Sequence, residues 1–288
     1  MGWRCARATV RVAVLRVVSS MLTWLIDCYP DRRRGRPPAL VDAAHAMGHT
    51  IFAYRNDDID AQLDLSDYLA VRDETPPLTL FRGSHAAVKM MEKQTQRAPG
   101  AFLHATNFFP EVYCQKYGDM TISRTFRVTT YSDYAANGPG FACDKYFIKP
   151  SQEAKLFSGT VMAIGEDLGD RHYHFHRSWT QPDPEASVFI APHVDLGREW
   201  RFVVIDGRVV TGSQYRSERG ANPTDIPVET LAFAQAAADV WQPMPVFALD
   251  VAERPGGYGV VEVNQFGTSG LYECDQSAIV TALEDFLQ

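Results

Sequence analysis

Three side chains in the last part of the sequence, Asp250, Glu262 and Asn264, have the types and spacing of a magnesium site. They lie in two largely apolar runs, 247–252 and 260–264, that a Pro-Gly-Gly turn separates. In an antiparallel hairpin centred on that turn, Asp250 faces Glu262, and Asn264 shares their face because side chains alternate along a strand. Two carboxylates and an amide oxygen suit Mg²⁺ when waters and nucleotide phosphates complete its shell. An ordinary hairpin with a solvated acidic face is the simpler alternative at this point.

An earlier hairpin carries charged side chains that could bind an anion. The Asp-Gly pair at 206–207 stands between two β-branched runs and predicts a type I′ turn, which needs positive φ at both positions. Pairing outward from this turn places Glu199 opposite Gln214. Arg201 shares that face, and Arg216 continues it if the pairing persists. Such a face suits anion recognition, although surface charge on the open side of a sheet has the same pattern.

Two lysines form a second candidate for anion binding. Lys149 lies near the end of a predicted strand over 145–150, which stops at a proline. Lys155 follows in the polar loop 151–159. An ammonium group is a compact charge that can follow phosphoryl oxygens. Taken alone, however, a solvated lysine at a strand end explains this pattern more simply.

The elements before these motifs alternate between strands and helices. The apolar patterns predict strands at 22–27, 50–55 and 78–82 and helices at 38–47, 85–94 and 110–116. Gly48 suits the C-cap of the first helix. The alternation predicts a small α/β layer with a parallel sheet at the start of the chain.

Composition and charge exclude several classes of protein. The 288 residues, with 45% hydrophobic and 22% charged residues, indicate a soluble globular chain, and the net charge of -7 argues against nucleic acid as the partner. No apolar run is long enough to cross a membrane. The five cysteines are an odd number without a CxxC pair, which predicts reduced thiols and a cytoplasmic protein. Residues 1–20 hold four arginines and no acid, and we interpret them as a leader or a disordered tail, with Met21 as an alternative start.

Two further clusters have a plainer explanation than a binding site. His172, His174 and His176 alternate along one strand and could hold a transition metal, but no carboxylate or cysteine lies beside them in the sequence. A polar strand face or an edge that contacts substrate is the preferred interpretation. The arginine-rich run 32–36 follows the first strand, where ligands of α/β folds often bind. We interpret it as a solvated loop.

The order of these motifs resembles that of ATP-grasp enzymes. The Ile-Lys-Pro run at 148–150 precedes the Glu-Trp-Arg run at 199–201, and Asp250 and the Val-Glu-Val-Asn run at 261–264 follow. The similarity extends over residues 78–275 and is greatest to the clade named for a conserved arginine and two lysines. Because several motifs recur in one order, the resemblance is more specific than any one of them.

The resemblance implies an α/β (α+β) protein with the ATP-grasp fold. A small amino-terminal α/β lobe over 21–100 would precede two subdomains, 101–187 and 188–288, that clasp the nucleotide. Asp250, Glu262 and Asn264 match the family's magnesium ligands. The oligomeric state is left open, a homodimer included.

The resemblance also implies which residues contact the nucleotide. Lys149 matches the lysine on the ATP phosphates. Lys155 is similar to the second lysine under the mobile loop, which implies a catalytic role as well as nucleotide binding. Glu199 is similar to the acidic residue that binds the ribose hydroxyls. The segment whose backbone reads the adenine edge corresponds to Ile190, Ala191, Pro192, His193 and Val194.

Two arginines match catalytic positions, with one departure from the family. Arg201 and Arg216 are similar to the arginines that hold the transferred phosphate and the substrate carboxylate. Several related ligases also carry an arginine two residues before the metal-binding aspartate, where this chain has Ala248. Arg201 or Arg216 would have to supply that charge. Arg82, at a strand end, is a further candidate anchor for a substrate carboxylate.

The implied reaction is an ATP-dependent ligation of a carboxylate and an amine, with Mg²⁺ or Mn²⁺ as the metal. The carboxylate would attack the γ-phosphate to give an acylphosphate, and the amine would then displace phosphate to form an amide or peptide bond. The substrates would be small molecules or peptides. The alternatives are an ATP-grasp phosphotransferase, which stops at a phosphorylated product, and a non-catalytic nucleotide-binding module.

Overall fold

The computed structural model describes residues 13–15, 22–27, 39–54, 78–83, 105–151, 156–171, 182–217 and 220–287. Its contacts divide the chain into two compact units. The first comprises Met1–Leu103, Phe266–Gly270 and Asp275–Gln288, and the second comprises His104–Gln265 and Leu271–Cys274. Among the described residues, no helix is long and apolar enough to span a bilayer.

The described elements are a mixture of strands and helices. The strands are β1 (Ala13–Leu15), β2 (Leu22–Asp27), β3 (Thr50–Tyr54), β4 (Leu78–Arg82), β5 (Arg127–Thr130), β6 (Lys145–Pro150), β7 (Thr160–Ala163), β8 (Ser187–Pro192), β9 (Glu199–Ile205), β10 (Arg208–Arg216), β11 (Val246–Arg254) and β12 (Gly257–Gln265). The α-helices are α1 (Ala39–Ala46), α2 (Pro110–Tyr117), α3 (Tyr131–Asn137), α4 (Val228–Val240) and α5 (Gln276–Leu287). Short 3₁₀ helices occur at Ala105–Phe108 and Gly118–Met120.

The first unit contains the predicted parallel sheet. Its strand order is β1-β3-β2-β4, and β2 runs parallel to both β3 and β4. Helix α1 ends before Gly48, whose φ of 80° is the left-handed conformation expected of a glycine C-cap. Ala13–Leu15, within the segment interpreted as a leader or disordered tail, instead forms β1, because its backbone pairs antiparallel with β3.

The second unit is built on two four-stranded antiparallel sheets. Their orders are β5-β8-β6-β7 and β10-β9-β11-β12. Strand β8 is hydrogen-bonded to β5 on one side and to β6 on the other. Strand β8 thus belongs to the first of these sheets, and the expected boundary between 187 and 188 falls at its first residues.

The β11–β12 hairpin forms the predicted pair of carboxylates, although its turn differs. Asp250 lies opposite Glu262, as expected. Arg254 pairs with Gly257, so the turn consists of the two residues between them and is not centred on Gly256. A β-bulge leaves Val261 as an extra residue on β12. The bulge compensates for the position of the turn, and the predicted pairing results.

The β9–β10 hairpin begins with the predicted turn but then changes register. Asp206 and Gly207 have φ values of 48° and 74°, as a type I′ turn requires. Two bulges follow on β10, each of which adds one residue to that strand. As a result Glu199 lies opposite Arg216, and the prediction that it faces Gln214 is wrong.

Candidate functional site

A cavity of about 540 Å³ in the second unit receives side chains from both sheets. Lys149 from β6, Glu199 from β9, Arg216 from β10 and Glu262 from β12 all line it. The volume lies in the range of small-molecule sites, about 300–1,000 Å³. Seven residues predicted from the sequence to contact nucleotide, metal or substrate share this cavity, because Pro192, His193 and Val194 also line it.

A buried pair, Arg201 and Asp250, lies beside this cavity wall. The two residues are direct neighbours on β9 and β11. Arg201 donates from Nε to Oδ1 of Asp250 at 2.7 Å and from Nη2 to Oδ2 at 2.6 Å. Burial raises the pKa of Asp250 to about 7, and the guanidinium acts in the opposite direction. The two parallel hydrogen bonds from Arg201 hold the aspartate in place.

Glu262 receives hydrogen bonds from several donors at once. Its Oε2 accepts from Lys149 Nζ at 3.3 Å, and its Oε1 accepts from Asn264 Nδ2 at 2.9 Å. Arg201 Nη2 lies 3.7 Å from the same Oε1. Burial works to raise the pKa of Glu262, but Lys149, Asn264 and Arg201 outweigh it and lower the pKa. Glu262 is thus an ionised carboxylate between two cations.

The three predicted metal ligands fit a magnesium ion by the chemistry of their donors. Asn264 Nδ2 lies 2.9 Å from Glu262 and 3.5 Å from Asp250, so the three side-chain ends converge. The oxygen and nitrogen of an amide are assigned from such contacts, and rotation of the amide presents the oxygen to a metal instead. No group of three His, Cys, Asp or Glu side chains suited to a metal occurs in the described ranges. The candidate set therefore consists of two carboxylates and an amide, all hard oxygen donors.

Lys149 is held by a residue that the sequence did not single out. Its Nζ donates to the hydroxyl of Tyr113 at 2.9 Å and lies 5.3 Å from the centre of that ring. Burial alone would lower the pKa of Lys149, but Tyr113 and Glu262 raise it above the ordinary value. Tyr113 belongs to α2, far away in sequence from Lys149. Only the folded chain brings the two together.

The segment expected to read adenine divides into two parts. Ile190 and Ala191 are fully buried in two hydrophobic cores, whereas Pro192, His193 and Val194 line the cavity. Proline has no N–H group, and the N–H of His193 donates to the carbonyl of Lys145 at 3.1 Å. The part of the predicted segment that a ligand in the cavity can reach is therefore its last three residues.

Glu199 is buried and bonded to two residues of β10. Arg216 Nη1 donates to its Oε1 at 2.6 Å, and the hydroxyl of Tyr215 donates to its Oε2 at 2.7 Å. The β-bulge at Tyr215 brings both side chains to the same glutamate. The expected face of Glu199, Arg201 and Arg216 thus exists, with a tyrosine in the place predicted for Gln214.

A pair of tyrosines packs against Arg201. The rings of Tyr215 and Tyr272 stack with their centres 4.7 Å apart and an angle of 6° between them. The guanidinium carbon of Arg201 lies 5.1 Å from the centre of Tyr272 and 5.9 Å from that of Tyr215. Tyr272 has a φ of 49°, which is uncommon outside glycine, asparagine and aspartate. No motif in the sequence indicated this contact, because Tyr272 follows the strands of the sheet in an irregular segment.

Two more positions bear on the predicted arginines. Ala248 is fully buried on β11, opposite Asn264, and Arg201 rather than Arg216 bonds to the aspartate two residues further on. In the first unit, Arg82 donates to the backbone carbonyls of Phe266 and Ser269. Arg82 therefore anchors a loop. The sequence predicted these N–H groups as an anchor for a substrate carboxylate, and here they donate to backbone carbonyls.

Several predicted features lie outside the described residues. They are Lys155, the histidines His172, His174 and His176, the arginine-rich run 32–36, the predicted helix at 85–94 and the alternative start Met21.

Solved structures with a similar fold include a synthetase and two ligases. D-cycloserine synthetase DcsG superposes with a TM-score of 0.60 at 15% identity, covering 93% of this chain and 100% of that one. D-alanine–D-alanine ligase from Bacillus anthracis gives 0.56 at 10% identity, with 93% and 97% covered. ATP-grasp ligase PsnB, complexed with precursor peptide PsnA2 and AMPPNP, gives 0.54 at 13% identity, with 95% and 99% covered. These identities are low enough that the likeness shows the fold alone.

Comparison at the level of sequence is more selective. Among curated proteins, none matches the chain. The model of an ATP-grasp domain family, the third of the clade named for an arginine and two lysines, matches residues 81–283. This range includes every predicted site residue. Since it covers well over half of the sequence, the chain belongs to this third family of the arginine-and-two-lysines clade of ATP-grasp domains.

Proposed function

We propose that this protein joins a carboxylate to an amine in an ATP- and magnesium-dependent reaction. The observation that carries the proposal is the convergence of Lys149 and Glu262, which line the cavity, with Arg201 and Asp250 buried beside them. Two carboxylates for a metal and two cations for phosphoryl oxygens are what phosphoryl transfer needs. The ligases with the same fold, among them PsnB with Mg and ADP, support this assignment.

In the proposed complex the nucleotide extends along the cavity. Backbone groups at Pro192 to Val194 bind the adenine edge, and Glu199 binds the ribose hydroxyls in exchange for its present donors. Lys149 holds the phosphates, with Lys155 as the second lysine. Asp250, Glu262 and Asn264 bind Mg²⁺, or Mn²⁺ in its place, and the metal neutralises phosphate oxygens when bound.

The chemistry proceeds without a protein nucleophile. The substrate carboxylate attacks the γ-phosphorus of ATP, the bond to the β-phosphate oxygen breaks, and an acylphosphate and ADP result. Arg201 stabilises the charge on the transferred phosphoryl group. Its contact with Asp250 and its closeness to Glu262 support this role. The amine then attacks the acyl carbon, phosphate leaves, and the amine gives up a proton. Arg216 binds a substrate carboxylate.

The substrates we propose are small-molecule or peptide carboxylates and amines. The structural relatives include both kinds of enzyme, since DcsG is a D-cycloserine synthetase and PsnB was solved with a precursor peptide. A cytoplasmic location is part of the proposal. Cys114, Cys143 and Cys274 form no disulfide bonds, which accords with it.

The test is ADP release in a screen of amino acids and short peptides, followed by mass spectrometry of the product. Hydroxylamine is added in a parallel reaction, because it traps an acylphosphate as a hydroxamate. An amide product together with a hydroxamate supports the ligase. A stable phosphorylated product without hydroxamate would identify a phosphotransferase, and the absence of ATP turnover with every pool would indicate a nucleotide-binding module.

A further inference from the structure

The hydroxyl group of Tyr113 lies between two partners whose roles fix its orientation. It accepts a hydrogen bond from Lys149 Nζ at 2.9 Å and donates one to the carbonyl of Val261 at 3.2 Å. A phenol has one proton, and a carbonyl can only accept. The proton therefore points to Val261, and an oxygen lone pair faces the ammonium. Tyr113 is 2% exposed, so both bonds are shielded from water.

The carbonyl that receives this proton belongs to the bulged residue of β12. Val261 is the extra residue between Val260 and Glu262, which pair with Val251 and Asp250. A bulge interrupts the regular ladder and turns local backbone groups away from it. Here the interruption supplies an acceptor for Tyr113 immediately before Glu262.

Lys149 is thereby attached at two points of its ammonium group. One N–H goes to Tyr113 and one to Glu262 Oε2, at 2.9 Å and 3.3 Å. An ammonium has three N–H groups. The side chain also lines the cavity, with 17% of its surface exposed. With two N–H groups fixed, the direction of the third N–H group is fixed as well. The bond to Tyr113 also prevents the ammonium from moving closer to Glu262.

We propose that Tyr113 is a positioning residue that orients Lys149 toward a nucleotide phosphate in the cavity. The inference rests on the proposed function, since it assumes that the cavity binds ATP. Without the hydroxyl, attraction to Glu262 draws the ammonium toward that carboxylate. The lysine then offers less to a phosphate, and nucleotide binding weakens.

Tyr117 provides a matched control on the same helix. It is 3% exposed, and its hydroxyl donates to the carbonyl of Trp241 at 2.9 Å. Its removal costs a buried hydrogen bond to a backbone carbonyl, as the removal of the Tyr113 hydroxyl does. The difference is that Tyr113 also contacts Lys149, whereas Tyr117 packs edge-on against the ring of Trp241.

The experiment compares Tyr113→Phe and Tyr117→Phe in the full-length protein. Calorimetric titration with ADP and Mg²⁺ gives Kd without turnover, and steady-state assays give KM for ATP and kcat. We expect Tyr113→Phe to raise Kd and KM about tenfold, the effect of a lost hydrogen bond to a charged group. We expect kcat to change less than KM, and Tyr117→Phe to leave Kd at the wild-type value.

A second pair of variants tests whether the effect passes through the lysine. In a Lys149→Met background, the further change Tyr113→Phe should leave Kd unchanged within about twofold, because the group it orients is gone. An equally large further loss would show that Tyr113 acts by another route and would overturn the proposal. Circular dichroism and the Tm of each variant accompany the titrations.

The remaining outcomes separate this inference from the proposed function. If the wild-type protein binds no adenine nucleotide, the proposed function fails and the role of Tyr113 with it. If the wild type binds ADP and Tyr113→Phe binds it equally well, the inference alone fails. Equal weakening by both single variants, or a failure of Tyr113→Phe alone to fold, would assign the hydroxyl to the stability of α2 and overturn the positioning role.

Discussion

Two arginine–carboxylate pairs of the same sheet differ in how much of the arginine meets solvent. In the pair Arg201–Asp250 the side chains are 7% and 1% exposed. In the pair Arg216–Glu199 they are 70% and 5% exposed. Both carboxylates are buried, so the difference lies in the cation. Arg201 is buried beside the cavity, whereas Arg216 reaches a buried acid from the surface and can leave it.

The difference has energetic and functional consequences. Removing one member of a buried pair leaves the other charge without a partner and costs about 3–5 kcal/mol. The mostly exposed Arg216 contributes less, about 0.2–1 kcal/mol, because Glu199 lines the cavity, where water can replace the arginine, and keeps its hydrogen bond from Tyr215. A carboxylate whose arginine can leave is also able to exchange that partner for a ligand. Glu199 therefore suits a ligand that displaces its arginine, whereas Asp250 would bind a metal while it keeps its arginine.

The largest effect is expected from Arg201→Met. The change leaves Asp250 buried without its two hydrogen bonds, and we expect the free energy of unfolding to fall by about 3–5 kcal/mol. Urea unfolding followed by circular dichroism measures it. Arg216→Met is the matched control. A loss below about 1 kcal/mol for Arg201→Met would remove the contrast between the two pairs.

Glu262→Gln should nearly abolish ATP turnover while the fold stays intact. The amide keeps the shape of the side chain but lacks the charge that binds a metal, so we expect kcat to fall by about 10²–10³-fold. ADP release measures turnover. Glu253→Gln is the control, because Glu253 is 32% exposed and paired with Arg198, while Glu262 is 34% exposed and paired with Lys149. A fully active Glu262→Gln variant would refute the metal assignment.

Glu199→Gln should act mainly on nucleotide affinity. If this residue binds ribose hydroxyls, loss of its charge weakens two hydrogen bonds, and KM for ATP should rise about tenfold with a smaller change in kcat. Comparing ATP with 2′-deoxy-ATP sharpens the test. The variant should discriminate less between the two nucleotides than the wild type does. Unaltered discrimination would place the ribose elsewhere.

The smallest change in stability is expected from Arg216→Gln. Since 70% of this side chain is exposed, the free energy of unfolding should fall by about 0.2–1 kcal/mol, and the loss should shrink as salt screens the wild-type pair. Urea unfolding at two salt concentrations measures both. A loss as large as that of Arg201→Met would mean that the two pairs are equivalent after all.

The sequence predicted the elements of the site better than their exact register. The Asp-Gly turn and the period-two pattern were enough to predict β9 and β10, and Asp250 lies opposite Glu262 as expected. The bulges at Val261 and Tyr215 were not predictable in this way, because they depend on packing between strands and not on the turn residues.

Contacts between residues that are far apart in the sequence could not be predicted from motifs and strand patterns either. Tyr113 and Tyr272 approach Lys149 and Arg201 only through the fold, and neither carries a motif. Arg82 was proposed to bind a substrate carboxylate, but its guanidinium donates hydrogen bonds to the backbone of the loop at 266–269. A strand-end arginine looks the same in a sequence whether its partner is a ligand or a carbonyl.

The extra residue at Val261 leads to an expectation about insertions in related chains. In the observed hairpin Val251 pairs with Val260. If Val261 were absent, Glu262 would follow Val260 directly and would still lie opposite Asp250. The pairing of Asp250 with Glu262 therefore does not require the extra residue in β12. The hydrogen bond from Tyr113 does, because the extra residue supplies its carbonyl acceptor. Among relatives of this protein, the additional residue and a tyrosine at the corresponding helix position should be gained and lost together.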